Sequence, residues 1–135
     1  MKIYAVYDTN ILVSAMISKR TDTSVVKALE VLLSNEVTPL YNDKIIAEYK
    51  EVLHREQFKL PEEMVSKIIG QIEKDGIASE RVQSNVYFPD PDDVVFYEVA
   101  LSREDSFLVT GNTKHFPKTP IVVTPAEFLK IIGKN

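Results

Sequence analysis

The sequence predicts an α/β domain with a mainly parallel sheet, and three observations lead to this prediction. Short β-prone segments alternate with amphipathic helical segments along the chain. The first segment, residues 2–7, is almost wholly apolar, as in strands that are buried on both faces. The length of 135 residues, with 44% hydrophobic and 27% charged residues, fits one globular domain over residues 1–135.

Hydrophobic periodicity and helix-boundary residues define the elements in chain order. We predict strands at residues 2–7, 37–40, 106–110 and 121–123, and helices at residues 11–17, 21–34, 43–55, 61–74, 90–103 and 125–132. One face of the second helix is formed by Val25, Ala28, Leu29 and Leu32. Asn42 caps the third helix, because Asn is among the preferred N-cap residues.

The later helices carry similar signals. Pro61 is suited to open the fourth helix, and Gly76 is suited to end it. The apolar face of this helix is predicted to consist of Met64, Ile68, Ile69 and Ile72. Asp90 and Pro91 begin the fifth helix as its cap and first residue, and Glu98, later in the same helix, is interpreted as a surface position.

Composition excludes several classes of protein and site. Lys and Arg number 16 and Asp and Glu number 20, so the net charge of −4 argues against binding nucleic acid through a broad basic face. The absence of Cys excludes disulfides and thiolate sites, and two His residues cannot form a three-His zinc site. No apolar run approaches the roughly 18 residues of a membrane span, and Asp8 comes too early for a signal-peptide core. We therefore expect a soluble, cytoplasmic protein with no membrane partner.

Polar residues follow two of the predicted strands. Asp8 comes directly after the first strand and Asn112 follows the strand at 106–110, so both are expected at the carboxyl edge of the sheet, where open α/β sheets place their ligands. Thr9 and Asn10 add polar groups there. The alternative interpretations are a helix cap for Asp8 and a turn residue for Asn112.

Asp105 is expected far from this edge. It precedes the strand at 106–110, and five residues at about 3.3 Å each place it roughly 17 Å from the strand's other end. We therefore exclude Asp105 from the site.

Further acids lie on two helices. Glu48 lies within or beside the buried stripe of the third helix, where a carboxylate needs a cation or a hydrogen-bond donor; alternatively it reaches water from the stripe edge. Asp90, Asp92 and Asp93 cluster at the start of the fifth helix. Helix initiation is the alternative explanation for them, but three acids exceed what one cap requires.

Four basic residues follow the candidate site segments and could contact phosphates: Lys19, Arg20, Lys114 and His115. The alternative is that they are ordinary solvated charges, with His115 a loop histidine.

Four segments taken together indicate a protein family more specifically than any single residue does. They are Val6-Tyr7-Asp8-Thr9-Asn10-Ile11-Leu12, Ala47-Glu48-Tyr49, Asp92-Asp93-Val94-Val95-Phe96-Tyr97-Glu98-Val99-Ala100, and Leu108-Val109-Thr110-Gly111-Asn112 with Lys114-His115-Phe116 after it. Their order resembles the PIN (PilT N-terminus) domain family of metal-dependent ribonucleases, from Ile3 to about Leu129. The resemblance is greatest to the branch of toxin components of toxin–antitoxin pairs.

The resemblance implies a three-layer α/β/α domain and a ribonuclease that hydrolyses RNA phosphodiester bonds. Asp8, Glu48 and Asp93 would be catalytic and would bind Mg²⁺ or Mn²⁺, with Asp92 and Asn112 as further candidate ligands and with Asn10 and Thr110 in support. Such a metal can polarise a phosphate oxygen and activate water. The resemblance also implies an antitoxin partner and a homodimer. Many active members have Asp where this chain has Asn112.

Two other functions remain open at this point. A PIN-like domain could serve as a binding or assembly module with weak or no catalysis, which the neutral Asn112 favours. A phosphatase of the haloacid dehalogenase type would use Asp8 as nucleophile, but its general acid would have to stand where this chain has Asn10.

Overall fold

The computed structural model describes residues 2–134 and contains a sheet in which each paired strand is parallel to its neighbour. The strands are β1 (Tyr4–Tyr7), β2 (Thr38–Tyr41), β3 (Ile77–Ala78), β4 (Ser106–Val109) and β5 (Val122–Val123). The five strands lie in the order β3-β2-β1-β4-β5. The predicted α/β class with a mainly parallel sheet is confirmed.

The helices are α1 (Thr9–Ile17), α2 (Ser24–Leu33), α3 (Asp43–Leu53), α4 (Glu62–Asp75), α5 (Val94–Ala100) and α6 (Pro125–Ile131). Helix α2 packs against α1 and α6, and α6 contacts β4. Helix α5 packs against β1, β2, β4 and α3, while α4 contacts β2 and α3. Two groups of helices thus enclose the sheet, as in an α/β/α sandwich.

Strand order creates a crevice beside β1. The chain first builds outward from β1 through β2 to β3, and then crosses to the other side of β1 to form β4 and β5. Tyr7, the last residue of β1, is paired with Val109, the last residue of β4. The carboxyl ends of β1 and β4 therefore meet at the point where the direction of strand order reverses, which is the usual ligand crevice of open α/β sheets.

Local signals explain most helix boundaries. The side chain of Asn42 accepts a hydrogen bond of 2.8 Å from the Ile45 amide, so the predicted N-cap is confirmed. Gly76 ends α4, as expected. Helix α2 begins three residues later than predicted because Thr23 caps it by accepting a hydrogen bond from the Val26 amide.

The predicted helix at residues 90–103 is shorter than expected. A 3₁₀ turn occupies Pro91–Asp93, and α5 then runs only from Val94 to Ala100. Two further 3₁₀ turns, at Glu56–Phe58 and Thr113–His115, were not predicted.

Two predictions about helix faces are wrong. Val65 rather than Met64 joins the buried stripe of α4, because the spacing of 65, 68, 69 and 72 is the i, i+3, i+4, i+7 pattern of one face, and Met64 is 40% exposed. Glu98 is not a surface residue, since it is only 7% exposed. An ion pair with Arg81 and a hydrogen bond from the Ser84 amide compensate for its lost solvation.

Strand β3 was not predicted because two residues carry too little periodicity to recognise. It pairs with the end of β2 through Leu40 and Ile77. Gly76, directly before it, lies so close to the carbonyl oxygens of Ile72 and Pro39 that a Cβ would overlap both. Within residues 2–134, no helix is long and apolar enough to cross a membrane.

Candidate functional site

Asp8 lies at the crevice between β1 and β4. Its amide donates a hydrogen bond to the Val109 carbonyl at 3.0 Å, which continues the strand pairing by one residue. The buried Thr110 hydroxyl donates to Asp8 Oδ2 at 2.8 Å and accepts from the Asn112 amide at 3.0 Å. Asp8 occupies the N-cap position of α1, but its side chain makes no capping hydrogen bond. The carboxylate is therefore directed by Thr110 rather than used as a cap.

Glu48 is brought to the same edge by α3. The buried Tyr49 hydroxyl donates to the Tyr7 carbonyl at 2.5 Å, which fixes α3 against the end of β1. Next to it, Glu48 Oε2 accepts a hydrogen bond from the Thr9 hydroxyl. Because Thr9 follows Asp8 in sequence, this hydrogen bond places Glu48 beside the crevice.

The acidic turn before α5 contains one capping residue and two others. Asp90 Oδ1 accepts a hydrogen bond of 2.9 Å from the Asp92 amide, so Asp90 is the cap. Asp92 and Glu48 line a common groove of about 440 Å³ together with Lys44 and Arg55. Asp93 makes no capping hydrogen bond at the start of α5.

Asp93 has the least compensated carboxylate of the three candidate ligands. Its Oδ2 is buried and has no hydrogen-bond partner within residues 2–134. The ring of His115 is close, with Nδ1 at 3.5 Å from Oδ2, but this distance is longer than a hydrogen bond.

The carboxylates also perturb one another. Burial raises the pKa of Asp8, against the hydrogen bond from Thr110 that lowers it. Burial and then the charges of Asp8 and Asp92 raise the pKa of Glu48, although the Thr9 hydrogen bond opposes the shift. Burial and then the charges of Asp8 and Asp90 raise the pKa of Asp93 to about 6, with His115 opposing. The charge of Asp8 raises the pKa of both Glu48 and Asp93, as expected for acids that share one region.

The donor chemistry of this region fits a hard divalent cation. Asp8, Glu48 and Asp93 offer oxygen ligands, and the unpartnered Oδ2 of Asp93 is a free acceptor. Across the part of the chain that the structure describes, however, no group of three or more His, Asp or Glu side chains is arranged to hold a metal ion. Threonine hydroxyls donate to one oxygen each of Asp8 and Glu48, and the second oxygen of each carboxylate is left for another partner. Asp8, Glu48 and Asp93 are the residues that could hold Mg²⁺ or Mn²⁺.

The remaining predicted site residues differ in position. Asn112 follows β4 and is exposed, and its carbonyl accepts from the His115 amide at 2.9 Å. Asn10 is exposed on the first turn of α1. Arg20 pairs with Asp22 at 2.8 Å in the connection between α1 and α2, where Lys19 is also exposed.

Lys114 and His115 lie in the turn after Asn112. Lys114 and His115 are the two of the four predicted phosphate-contact residues that follow β4, the strand whose carboxyl end meets that of β1 at the crevice.

Sequence reasoning did not identify two hydroxyl groups that organise the site. Thr9 was considered only as a general polar group, and its role as the donor to Glu48 depends on the packing of α1 against α3. The Tyr49 hydroxyl could have been suspected, because a tyrosine in a buried stripe must find an acceptor for its hydroxyl proton. Asp105 lies at the opposite edge, as expected, where its carbonyl accepts from the Tyr4 amide.

A family model described as "PIN domain" matches residues 4–114. The match includes Asp8, Glu48, Asp92, Asp93 and Asn112, and it ends before β5 and α6. No curated protein and no solved structure matches the chain.

Proposed function

The chain belongs to the PIN domain family, and from this membership and its crowded carboxylates we propose that it is a divalent-metal-dependent ribonuclease. PIN domains commonly carry metal-dependent nuclease activity and usually bind divalent metals. The observation that carries the proposal is the buried, unpartnered Oδ2 of Asp93 beside the charges of Asp8 and Glu48. Mg²⁺ or Mn²⁺ would supply the missing positive charge and would polarise the scissile phosphate.

The chain's own residues have separable tasks in this proposal. Asp8, Glu48 and Asp93 would hold the cation, and the Thr110 hydroxyl orients Asp8. Thr9 orients Glu48 in the same way. His115 lies near Asp93 and is exposed, so it is available to a phosphate oxygen.

A cleavage assay tests the proposal. Purified protein is incubated with single-stranded RNA, with Mn²⁺ or Mg²⁺ titrated in and then removed by excess chelator. We expect cleavage that requires the metal and falls at least about 100-fold in Asp8→Asn, since loss of groups that merely support a metal ligand typically costs 10–100-fold. Asp105→Asn is the matched control, because it makes the same change at the opposite edge of the sheet. Equal cleavage in excess chelator would refute the mechanism.

A second function, an RNA-binding or assembly module without catalysis, is favoured by one observation. No three-ligand metal group is preformed among residues 2–134, and the side chain after β4 is the neutral Asn112. Metal titration with a cleavage assay separates the two functions, because a binding module would retain RNA in the presence of metal without cutting it.

We further propose that the chain acts in the cytoplasm as the toxin of a toxin–antitoxin pair, with a protein inhibitor and as a homodimer. The support is the resemblance of Gly111-Asn112-x-Lys114-His115-Phe116 to that branch. A neighbouring reading frame whose small product inhibits cleavage would support the toxin role, and light scattering of the purified chain would give its oligomeric state.

A further inference from the structure

The groove of about 440 Å³ that contains Glu48 extends along α3, and most of its lining has no task in the reaction proposed above. We call it the α3 groove. Lys44, Glu48 and Glu51 line it at the i, i+4 and i+7 positions of one helix face, and Arg55 lines it just beyond the end of the helix. Asp92 lines it from the turn before α5. The α3 groove is therefore continuous with the candidate metal ligands.

The basic side chains of the α3 groove differ in their partners. Arg55 donates to the Glu51 carboxylate from Nε and Nη2, with the closest contact at 2.9 Å, so these two charges compensate one another. Lys44 is exposed, and among residues 2–134 its ammonium has no ion-pair partner. Lys44 is thus a cation in the groove that is available to an anionic ligand.

Lys44 occupies a position that helix chemistry does not favour. It lies in the first turn of α3, where the partial positive charge of the helix N-terminus repels a cation. It precedes Glu48 by four residues, which is the less favourable order for an ion pair on a helix. The N-cap is supplied by Asn42 and does not involve a lysine. Neither capping nor pairing explains this residue, and such exceptions to local preference are expected at functional sites.

The distance from Lys44 to the proposed reaction site is short. One helical turn, about 5.4 Å, separates it from Glu48 along α3. The flexible four-carbon stem of lysine lets its ammonium move over much of that distance. When one phosphate of a strand lies at Glu48, the neighbouring phosphate is therefore within reach of Lys44.

The α3 groove and the turn after β4 lie on opposite sides of β1. Helix α3 follows β2, which pairs with one side of β1, whereas Lys114 and His115 follow β4, which pairs with the other side. Asp8, at the end of β1, lies between them. Basic residues therefore flank the acids on both sides, which is the charge arrangement that a polyphosphate backbone crossing the acids requires.

We infer that Lys44 binds an RNA backbone phosphate in the α3 groove, one nucleotide away from the phosphate at the carboxylates. The inference rests on the proposed ribonuclease function and adds to it a substrate-binding residue and the path of the backbone. That path leads from the turn after β4, over Asp8, into the α3 groove. Lysine suits this contact because its ammonium is a compact charge with three donors that binds phosphate without a fixed orientation.

Salt-dependent RNA binding tests the phosphate contact without requiring cleavage. The full chain, in excess chelator, is titrated into a fluorescein-labelled oligouridine of about 12 nucleotides, and fluorescence anisotropy gives the dissociation constant at several salt concentrations. We expect Lys44→Ala to reduce the slope of log K against log salt by about 0.7, the value for one phosphate contact on a single strand. Lys44→Arg keeps the charge and should keep the slope. Lys50→Ala is the matched control, because it removes an exposed lysine from another face of the same helix, outside the α3 groove.

Thermal melts separate this role from a structural one. We expect Lys44→Ala to melt within about 2 °C of wild type in chelator, because substitution of an exposed, unpaired side chain changes stability little. A lysine that served only to compensate the nearby acids would behave differently: its loss would lower the melting temperature and leave the salt dependence of RNA binding unchanged. That pair of results would overturn the inference.

A neutral linkage tests the position of the contact. Cleavage in Mn²⁺ is measured on an RNA whose cleavage position the wild type defines, and on two copies that carry one uncharged methylphosphonate, one on each side of the scissile linkage. We expect Lys44→Ala to lower kcat/KM about tenfold on the unmodified RNA. On one of the two modified RNAs the same substitution should cost less than about twofold, because the phosphate charge that Lys44 binds is already absent.

Four results overturn the inference. They are an unchanged slope in Lys44→Ala, equal slope changes in Lys44→Ala and Lys50→Ala, no RNA binding by the wild type, and a loss of kcat/KM that is the same on all three RNAs. If the slope falls only in Lys44→Ala but no metal supports cleavage, the phosphate contact holds and the ribonuclease proposal fails. Metal-dependent cleavage with an unchanged slope gives the opposite result.

Discussion

The hydroxyl of Thr110 donates a hydrogen bond of 2.8 Å to Oδ2 of Asp8 across 102 positions of the chain. Both residues are buried, and each directly follows a strand of the central β1–β4 pair. Parallel pairing of β1 with β4 places Asp8 and Thr110 side by side. The same pairing therefore creates the crevice and orients the Asp8 carboxylate. A hydroxyl that both donates to a carboxylate and accepts from a backbone amide has little rotational freedom.

Thr110→Val should therefore damage the site more than its small change in volume suggests. Loss of a hydrogen bond to a buried carboxylate should lower the free energy of unfolding by about 1.5–3 kcal/mol. Metal affinity should fall about 10–100-fold, since Asp8 loses the group that orients it. Urea unfolding and calorimetric Mn²⁺ titration measure the two effects. Thr110→Ser keeps the hydroxyl and should retain most of the free energy of unfolding and most of the metal affinity. Equal losses in Thr110→Val and Thr110→Ser would contradict the orienting role of the hydroxyl.

Asp93 should make the metal-free protein less stable as pH rises. Its pKa in the folded state, about 6, lies above the ordinary value of 3.8. The folded state therefore binds more protons than the unfolded state between these values, and stability falls as pH rises through that window. Asp93→Asn removes the effect. In chelator, the variant should melt about 2–6 °C above wild type at pH 7.5, and the two melting temperatures should converge near pH 4.

In Mn²⁺ the wild type should melt above Asp93→Asn, because the wild type retains the third carboxylate and gains more stability from the ion. Thermal melts at several pH values, with and without Mn²⁺, provide the measurement. A variant that melts below wild type at pH 7.5 in chelator would show that the Asp93 carboxylate is compensated by contacts other than a metal.

Asn112→Asp should tighten metal binding if the side chain after β4 reaches the cation. The substitution adds a negative charge and a second ligand oxygen, so Mn²⁺ affinity should rise on the order of tenfold and cleavage should increase. Repulsion from Asp8 and Asp93 should lower the stability of the metal-free protein. Asn35→Asp, in the turn before β2 at the opposite edge, adds the same charge as a control. An unchanged metal response would identify Asn112 as only a turn residue.

Gly76→Ala should destabilise the protein, and Gly70→Ala should not. A Cβ at Gly76 would overlap the carbonyl oxygens of Ile72 and Pro39, which cannot move without shifting α4 from β2. We expect a loss of about 1–3 kcal/mol in the free energy of unfolding. Gly70 is exposed within α4 and has open space around its Cα, so Ala should stabilise the helix by about 0.5–1 kcal/mol. Equal effects of the two variants in urea unfolding would contradict this explanation.

Local features of the chain were sufficient for much of this structure. The cap at Asn42 could be predicted because it depends on neighbouring residues only. Gly76 ends α4 as expected, but the need for glycine there comes from its close approach to the Pro39 carbonyl, which is distant in sequence. The positions of Asp8 and Asp105 at opposite edges of the sheet followed from strand direction, because Asp8 comes after one strand and Asp105 comes before another.

The sequence by itself determined the chain order of the six helices and of four of the five strands that the structure describes, together with the acids that follow or flank them. Only the tertiary structure decided that β4 rather than β2 supplies the hydroxyl to Asp8, that Thr9 meets Glu48, and that Glu98 is buried with Arg81. The physical reason is that hydrophobic periodicity and capping act over a few residues, whereas these contacts depend on strand order and helix packing between distant segments. A carboxylate such as Glu98 has the same local pattern whether it faces water or an arginine, so its burial becomes visible only when the partner segment is in place.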